Sequence, residues 1–250
     1  TSGSRNWYKV KNIKTIIDRA VDEGIDITCD RYPYIAAATD LDVILPNWVY
    51  EGGIADQINR LKDTNTRQQI AKEVSPSEDD AFWNAIMISS VYYDKNKWME
   101  GKTITEISKE LNKPPIETVF DLLIEEETRV DIFLFSMCEE NLEKILGWDF
   151  VFVGSDSSMR ANQGILKEGK PHPRSYGTFS RILGRFYREK KLLSLEKAIQ
   201  KMTGLPAQKV GLNKRGLIKA GYFADITIFD PEKIIDRSTF TEPHQYSEGV

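Results

Sequence analysis

Twice along this chain an amphipathic helix ends at a glycine and gives way to a short apolar run that stops in a polar or aromatic loop. In the first instance Val10 to Glu23 places Ile13, Ile16, Ile17 and Ala20/Val21 at helical intervals and Gly24 stops the helix. Ile25 to Cys29 then reads as a strand that runs into Asp30-Arg31-Tyr32-Pro33-Tyr34. In the second, Glu139 to Leu146 is a helix ended by Gly147, Phe150 to Val153 is a strand, and Gly154-Ser155-Asp156-Ser157 is the loop at its C-terminal end. A further helix is expected from Phe179 to Lys190, with Thr178 as its N-cap. Strands that alternate with helices and carry distinctive residues at their C-terminal ends are the pattern of a (β/α) barrel or a doubly wound sheet.

Between the two units, Glu51 to Glu127 is charged and mostly helical by pattern. Helices are expected at Ile54 to Glu73, Thr105 to Leu111 and Ile116 to Glu126, the last started by Pro114-Pro115, with one apolar run at Ala85 to Val91. Asp131 to Met137 is another strand-like run. After Leu193 the texture changes. Ser194 caps a helix to Met202, Gly204-Leu205-Pro206-Ala207 restarts a second, and glycines at 216 and 221 flank short β-prone segments such as Ile226-Thr227-Ile228-Phe229. This predicts a small β appendage. Two parts are expected, residues 1–204, with a mostly helical stretch near 51–127, and a smaller β-prone part over 205–250.

With 250 residues and 40% apolar content the chain can bury a substantial core, and the formal net charge of −4 comes from well-mixed signs. No basic field is present of the kind that nucleic acid or an anionic membrane requires, which points to a small-molecule partner. No apolar run approaches a membrane span. Cys29 and Cys138 are far apart and form no C-x-x-C pair, which fits two thiols in a cytoplasmic protein. Phosphate-binding glycine loops, a dinucleotide fingerprint and a Gly-x-Ser-x-Gly elbow are all missing from the sequence.

Three positions could carry chemistry. Asp156 stands where an apolar strand enters a Gly/Ser loop, and a carboxylate there can ligate a cation or move a proton between water and a leaving amine. Local sequence alone equally describes a turn. Arg174, in His172-Pro173-Arg174, offers a planar fork that grips a carboxylate through two parallel hydrogen bonds, although a lone loop arginine is ordinarily just solvated. Tyr32 and Tyr34 each bring a phenol that could donate to a substrate oxygen or simply pack. With only His172 and His244 in the sequence, no His-x-His or His-x-x-x-His pair can be written, and a complete zinc site cannot be built from this chain.

Taken in order, Asp30-x-Tyr32-Pro33-Tyr34, Gly154-Ser155-Asp156, His172-Pro173-Arg174-x-Tyr176-Gly177-Thr178-Phe179, Lys201-Met202-Thr203-Gly204 and Gly221-Tyr222-Phe223-Ala224-Asp225 resemble the N-acyl-D-amino-acid deacylases, or D-aminoacylases, of the amidohydrolase superfamily. The resemblance implies a (β/α)8 barrel with a small β-sandwich, and one or two zinc ions held mostly by histidines and a cysteine on strands earlier than any in this chain. It implies hydrolysis of the amide bond of N-acyl-D-amino acids that keep a free carboxylate. Asp156 matches the aspartate that faces the metal and shuttles the proton, Arg174 the carboxylate clamp, and Tyr32, ahead of Tyr34, the tyrosine that assists it. His172 belongs to the motif and can serve the loop, and Cys29 is not the family's metal-ligating cysteine. The resemblance further implies that the chain starts after the sixth barrel strand, is cut at its C-terminus, and is inactive alone. A dihydroorotase, hydantoinase or isoaspartyl dipeptidase type, or a non-catalytic barrel fragment, stands as the alternative.

Overall fold

Among the described residues five short strands order the chain: β1 (Cys29–Arg31), β2 (Ala37–Asp40), β3 (Ile86–Val91), β4 (Val130–Leu134) and β5 (Val151–Val153). They belong to a computed structural model that describes residues 2–74 and 80–250. The chain divides into two compact units, one built from residues up to 35, 136–167 and 173–250, the other from 36–135 and 168–172.

In the first unit β1 and β5 pair in parallel, with Cys29 opposite Val151, Asp30 opposite Phe152 and Arg31 opposite Val153. Parallel neighbours need a crossover, and here the whole span between the two strands provides it. The expected helices at Val10–Asp22 and Glu139–Gly147 are present. The strand expected at 25–29 instead occupies Cys29–Arg31, because the partner's register and not local apolarity decides which residues pair. A core of Leu142, Leu146, Val153, Ile182, Phe186 and Ala198 lies beneath them. Each of the larger side chains contributes roughly 1.5–3 kcal/mol by leaving water, and the alanine methyl less.

The helix expected to start after Thr178 starts at Arg174 and runs to Arg181, continuing as a π-helical stretch over Ile182–Glu189. Pro173, at φ −53°, already has the dihedral of a helical residue and brings the start forward. Thr178 is thus inside the helix, where its hydroxyl donates to the Arg174 carbonyl at 2.8 Å. Ser194 caps Leu195–Met202 as expected, accepting from the Lys197 amide at 3.2 Å, and Gly204–Lys209 follows. Residues 226–229 form no strand, and the one β-bridge in the C-terminal region joins Ile235 to Glu248 among the described residues. Ile226 and Ile228 stay exposed, since a β-prone segment is held as a strand only when another strand or a packed face takes it up.

The second unit holds an antiparallel sheet in the order β2-β4-β3, with Ala37 opposite Leu134 and Ile86 also opposite Leu134. Of the three strands only β3 lies in the stretch expected to be mostly helical, on the apolar run at 85–91, while β4 falls on the strand-like run expected from Asp131; residues 75–79 lie outside the described residues. Ile86 and Ile88 of β3 share a fully buried core with Ile104, Ile107, Phe120 and Leu123 from the helices Ile104–Leu111 and Pro115–Glu125. The single helix expected over 54–73 is two, Ile54–Lys62 and Thr64–Val74, broken at Asp63. Asp63 turns extended, and its carboxylate accepts from the Thr66 amide at 2.8 Å in the manner of an N-cap. No helix among the described residues is long and apolar enough to cross a membrane.

Candidate active site

Because β1 and β5 are parallel neighbours, the loops that follow them emerge at the same end of the pair. Gly154 begins the second of these loops, with its amide 3.3 Å from the Arg31 carbonyl. A Cβ on Gly154 would meet the Asp30 carboxylate oxygen at 2.9 Å, so the close approach of the two strand ends needs glycine there. Asp156 then takes a left-handed φ of 47°, a conformation aspartate tolerates better than most residues, and its side chain is 67% exposed.

Arg174 reaches the same place from the first position of its helix. Its side chain is 9% exposed, and Nη1 lies 3.0 Å from Asp156 Oδ2. A cation at a helix N-terminus opposes the helix dipole, and the carboxylate beside it offsets that cost. The Arg174 guanidinium also sits 4.6 Å from the centre of the half-buried Tyr32 ring. The Arg31 guanidinium sits 4.3 Å from the same ring. Two guanidiniums on one phenol hold it through cation–π attraction. Arg31 is anchored in turn by donating to the Tyr34 carbonyl at 2.7 Å, with its Nη2 also 2.8 Å from Met137 Sδ. Burial lowers the Arg31 pKa, with Tyr32 acting in the opposite sense and the Arg174 charge adding to the lowering. Ser157 Oγ and Ser175 Oγ, 2.5 Å apart, tie the Asp156 loop to the first turn of the Arg174 helix. Tyr176 fixes the loop further on, donating to the Ala161 carbonyl at 2.8 Å.

Tyr34 is different from Tyr32. It is only 4% exposed, and its hydroxyl donates to Asp236 Oδ2 at 3.3 Å. Burial, and next the Asp236 charge, push its pKa far up, so the phenol stays neutral. His172 belongs to the second unit, where Nε2 is 3.0 Å from the Ala36 carbonyl and the ring meets Phe133 edge-on. Cys29 and Cys138 are free thiols. Arg31, Arg181 and Asp236 enter the surroundings of the site although nothing in the sequence singled them out. The one available signal was the spacing of Arg174 and Arg181, seven residues or two turns apart on one helix face.

No three His, Cys, Asp or Glu side chains gather as ligands would among the described residues. The Asp156 carboxylate faces a guanidinium, the opposite of what a cation needs beside it. The residues present do not by themselves fit a metal.

The exposed carboxylate of Asp156 and the buried guanidinium of Arg174 both fall within residues 149–250, which match the Amidohydrolase family, and the fold is that of the α/β amidohydrolases. An N-acyl-D-glutamate deacylase of Alcaligenes xylosoxydans xylosoxydans is 29% identical over 245 residues, covering 98% of this chain and 40% of that protein. A D-aminoacylase of the same organism is 36% identical over 152 residues, covering 61% of this chain and 29% of that protein. The crystal structure of the Bordetella bronchiseptica N-acyl-D-glutamate deacylase, in complex with zinc and a phosphonate mimic of the tetrahedral intermediate, superposes with a TM-score of 0.73 at 26% identity. It covers 99% of this chain, which spans 42% of that structure's length. The chain is thus similar to D-aminoacylases and N-acyl-D-glutamate deacylases over nearly all of its own length, while it spans about 40% of the length of the relatives it matches.

Proposed function

We propose that this chain contributes the proton-handling and carboxylate-binding side of the active site in a hydrolase that cleaves N-acyl-D-amino acids to a carboxylate and a D-amino acid. The observation that carries the reading is the grouping of Asp156, Arg174 and Tyr32 at the C-terminal ends of β5 and β1 and on the helix beside them. The deacylase names of the relatives support it.

Arg174 is suited to hold the substrate carboxylate because its fork makes two parallel hydrogen bonds and its charge is permanent. Tyr32 would add a donor, and its ring keeps the guanidinium in one plane. With the carboxylate fixed there, only one hand at the α-carbon brings the amide to Asp156, which turns orientation into rate and stereoselectivity. Asp156 would take a proton from the attacking water and deliver it to the nitrogen as the C–N bond breaks, its exposure leaving room for both. Zinc, one or two ions, would be held by ligands other than the residues described. Membership of a (β/α)8 barrel, a β-sandwich that includes residues 205–250, and a cytoplasmic setting complete the reading.

Replacing Asp156 with Asn in the full-length protein tests it. The expected result is a loss of about 10²–10⁴-fold in turnover of N-acetyl-D-amino acids at unchanged metal content. Turnover near that of the parent protein would remove Asp156 from the chemistry.

A further inference from the structure

Next to the Arg174 and Tyr32 pair lies a second group of side chains, Arg181, Tyr34 and Asp236. Arg181, two turns along from Arg174, donates from Nε to the Pro33 carbonyl at 2.9 Å and from Nη1 to Asp236 Oδ2 at 2.9 Å. Its guanidinium lies 4.7 Å from the centre of the Tyr34 ring. Tyr34 donates its hydroxyl to Asp236 Oδ2 at 3.3 Å and comes within 3.4 Å of the Pro173 carbonyl. The Asp236 side chain is 6% exposed.

The two backbone carbonyls in this group are those of the residue after Tyr32 and the residue before Arg174. The group therefore grips both flanks of the pair at once. Its anion arrives from the C-terminal segment, which lies in a groove on the Arg174 helix and its π-helical continuation. At Gly177 a Cβ would meet Tyr34 Oη at 2.6 Å and Asp236 Cβ at 2.7 Å, and at Gly184 one would meet the Ile234 carbonyl at 2.7 Å. Arg188 holds the same segment by donating to the Ile234 carbonyl at 2.7 Å. The Gly-Thr-Phe that follows Arg174-x-Tyr176 in the sequence thus has a local reason in its glycine: the carboxylate of Asp236 can come close only where the helix has no side chain.

We infer that Asp236, acting with Arg181 and Tyr34, is a positioning residue that sets the spacing of Tyr32 and Arg174 and so tunes recognition of the substrate carboxylate. It rests on the proposed function above, in which that pair holds the carboxylate. A buried anion that organises a donor pair through two backbone links acts on the geometry of binding and not on the reacting bond, so its effect falls on substrates that carry the carboxylate.

The test compares Asp236→Asn, Tyr34→Phe and Arg174→Lys in the full-length protein, each assayed on an N-acetyl-D-amino acid and on the matching carboxamide, with thermal melting in parallel. Asp236→Asn keeps the shape and removes the charge that answers Arg181. The expected result is a KM raised about tenfold for the free acid, with kcat within about twofold, and kcat/KM for the carboxamide unchanged. Tyr34→Phe should shift the same ratio in the same direction by less. Equal losses on both substrates, tracking a fall in melting temperature, would make the group merely structural and overturn the inference. So would no change in the ratio. If Arg174→Lys itself fails to discriminate acid from carboxamide, the carboxylate-binding reading falls first and the inference with it. If Arg174→Lys discriminates and Asp236→Asn does not, only the inference falls.

Discussion

Lys201 offers the sharpest physical test of how the first unit is held together. The side chain has no exposed surface, and its ammonium donates to the carbonyls of Trp148 and Val151, the latter at 2.7 Å. It thereby fastens the helix Leu195–Met202 to the start of β5, three residues of backbone before Gly154. Burial lowers its pKa to about 8, the nearby Lys197 charge adding to the effect and Asp149 opposing it. A pKa that is lower in the folded state than in the unfolded chain means that the unfolded chain binds more protons between roughly pH 8 and pH 10.5. Stability should therefore rise with pH across that window. Below about pH 8 both states carry the charge, and the folded state bears the cost of burying it in full. At about 1.4 kcal/mol per pKa unit the fall from 10.5 to about 8 corresponds to at most about 3.5 kcal/mol. The two carbonyls favour the ammonium, so about 1–2 kcal/mol is expected. Other lysines and tyrosines also titrate in this range, so the useful quantity is a difference. Lys201→Met keeps the stem and removes the charge, leaving the two carbonyls without their donor. Urea unfolding of both proteins at pH 7, 8.5 and 10 should show the unsubstituted protein gaining about 1–2 kcal/mol relative to the variant as pH rises. A difference that stays constant with pH, or shrinks, would refute the assignment of the shift to burial.

Glu126 has no exposed surface, and its carboxylate accepts from the amides of Tyr92 and Tyr93 at 2.6 and 3.0 Å and from Asn96 Nδ2 at 2.6 Å. Glu126→Gln puts an NH2 donor in place of one accepting oxygen, facing donors it cannot satisfy, which should cost about 2–3 kcal/mol and speed amide exchange at Tyr92 and Tyr93. Unchanged exchange at those two amides would show that the carboxylate does not organise that turn. Thr103 and Glu106 form a reciprocal cap, the hydroxyl accepting from the Glu106 amide at 3.3 Å and the carboxylate from the Thr103 amide at 2.7 Å. Thr103→Ala should lower stability by about 1 kcal/mol in urea titrations, and Thr103→Ser should restore most of it.

What could be read from the sequence was whatever rests on neighbours in the chain. The helix Val10–Asp22, the Ser194 cap and the proline-started helix at Pro115 follow from spacing, a hydroxyl and a ring, all within a few residues of where they act. Asp156 could be picked out because a strand entering a glycine turn is a local pattern. The break at Asp63 was hidden inside a continuous polar helical pattern, and the deciding bond runs from Asp63 to Thr66, where an ordinary helical aspartate would look the same. The sheet β2-β4-β3 was harder still, since Ala37 and Leu134 meet only through pairing across nearly a hundred residues. Arg181 and Asp236 are separated by 55 positions, and neither stands out by type.

Tyr32 and Tyr34 show most plainly why composition and spacing stop short of a site. Two phenols either side of one proline have the same chemistry, and after a strand both are candidates to meet a ligand. Burial separates them. Tyr34 is pushed inward, where Arg181 and Asp236 take up its ring and hydroxyl and where a neutral phenol is favoured. Tyr32 is left half-buried between loop and solvent, with guanidiniums at 4.3 and 4.6 Å from its ring centre. The Tyr32 ring lies against the Arg174 guanidinium, while the Tyr34 side chain serves the interior. In that division a carboxylate meets Tyr34 from a segment about two hundred residues away, a contact that the motif alone does not reveal.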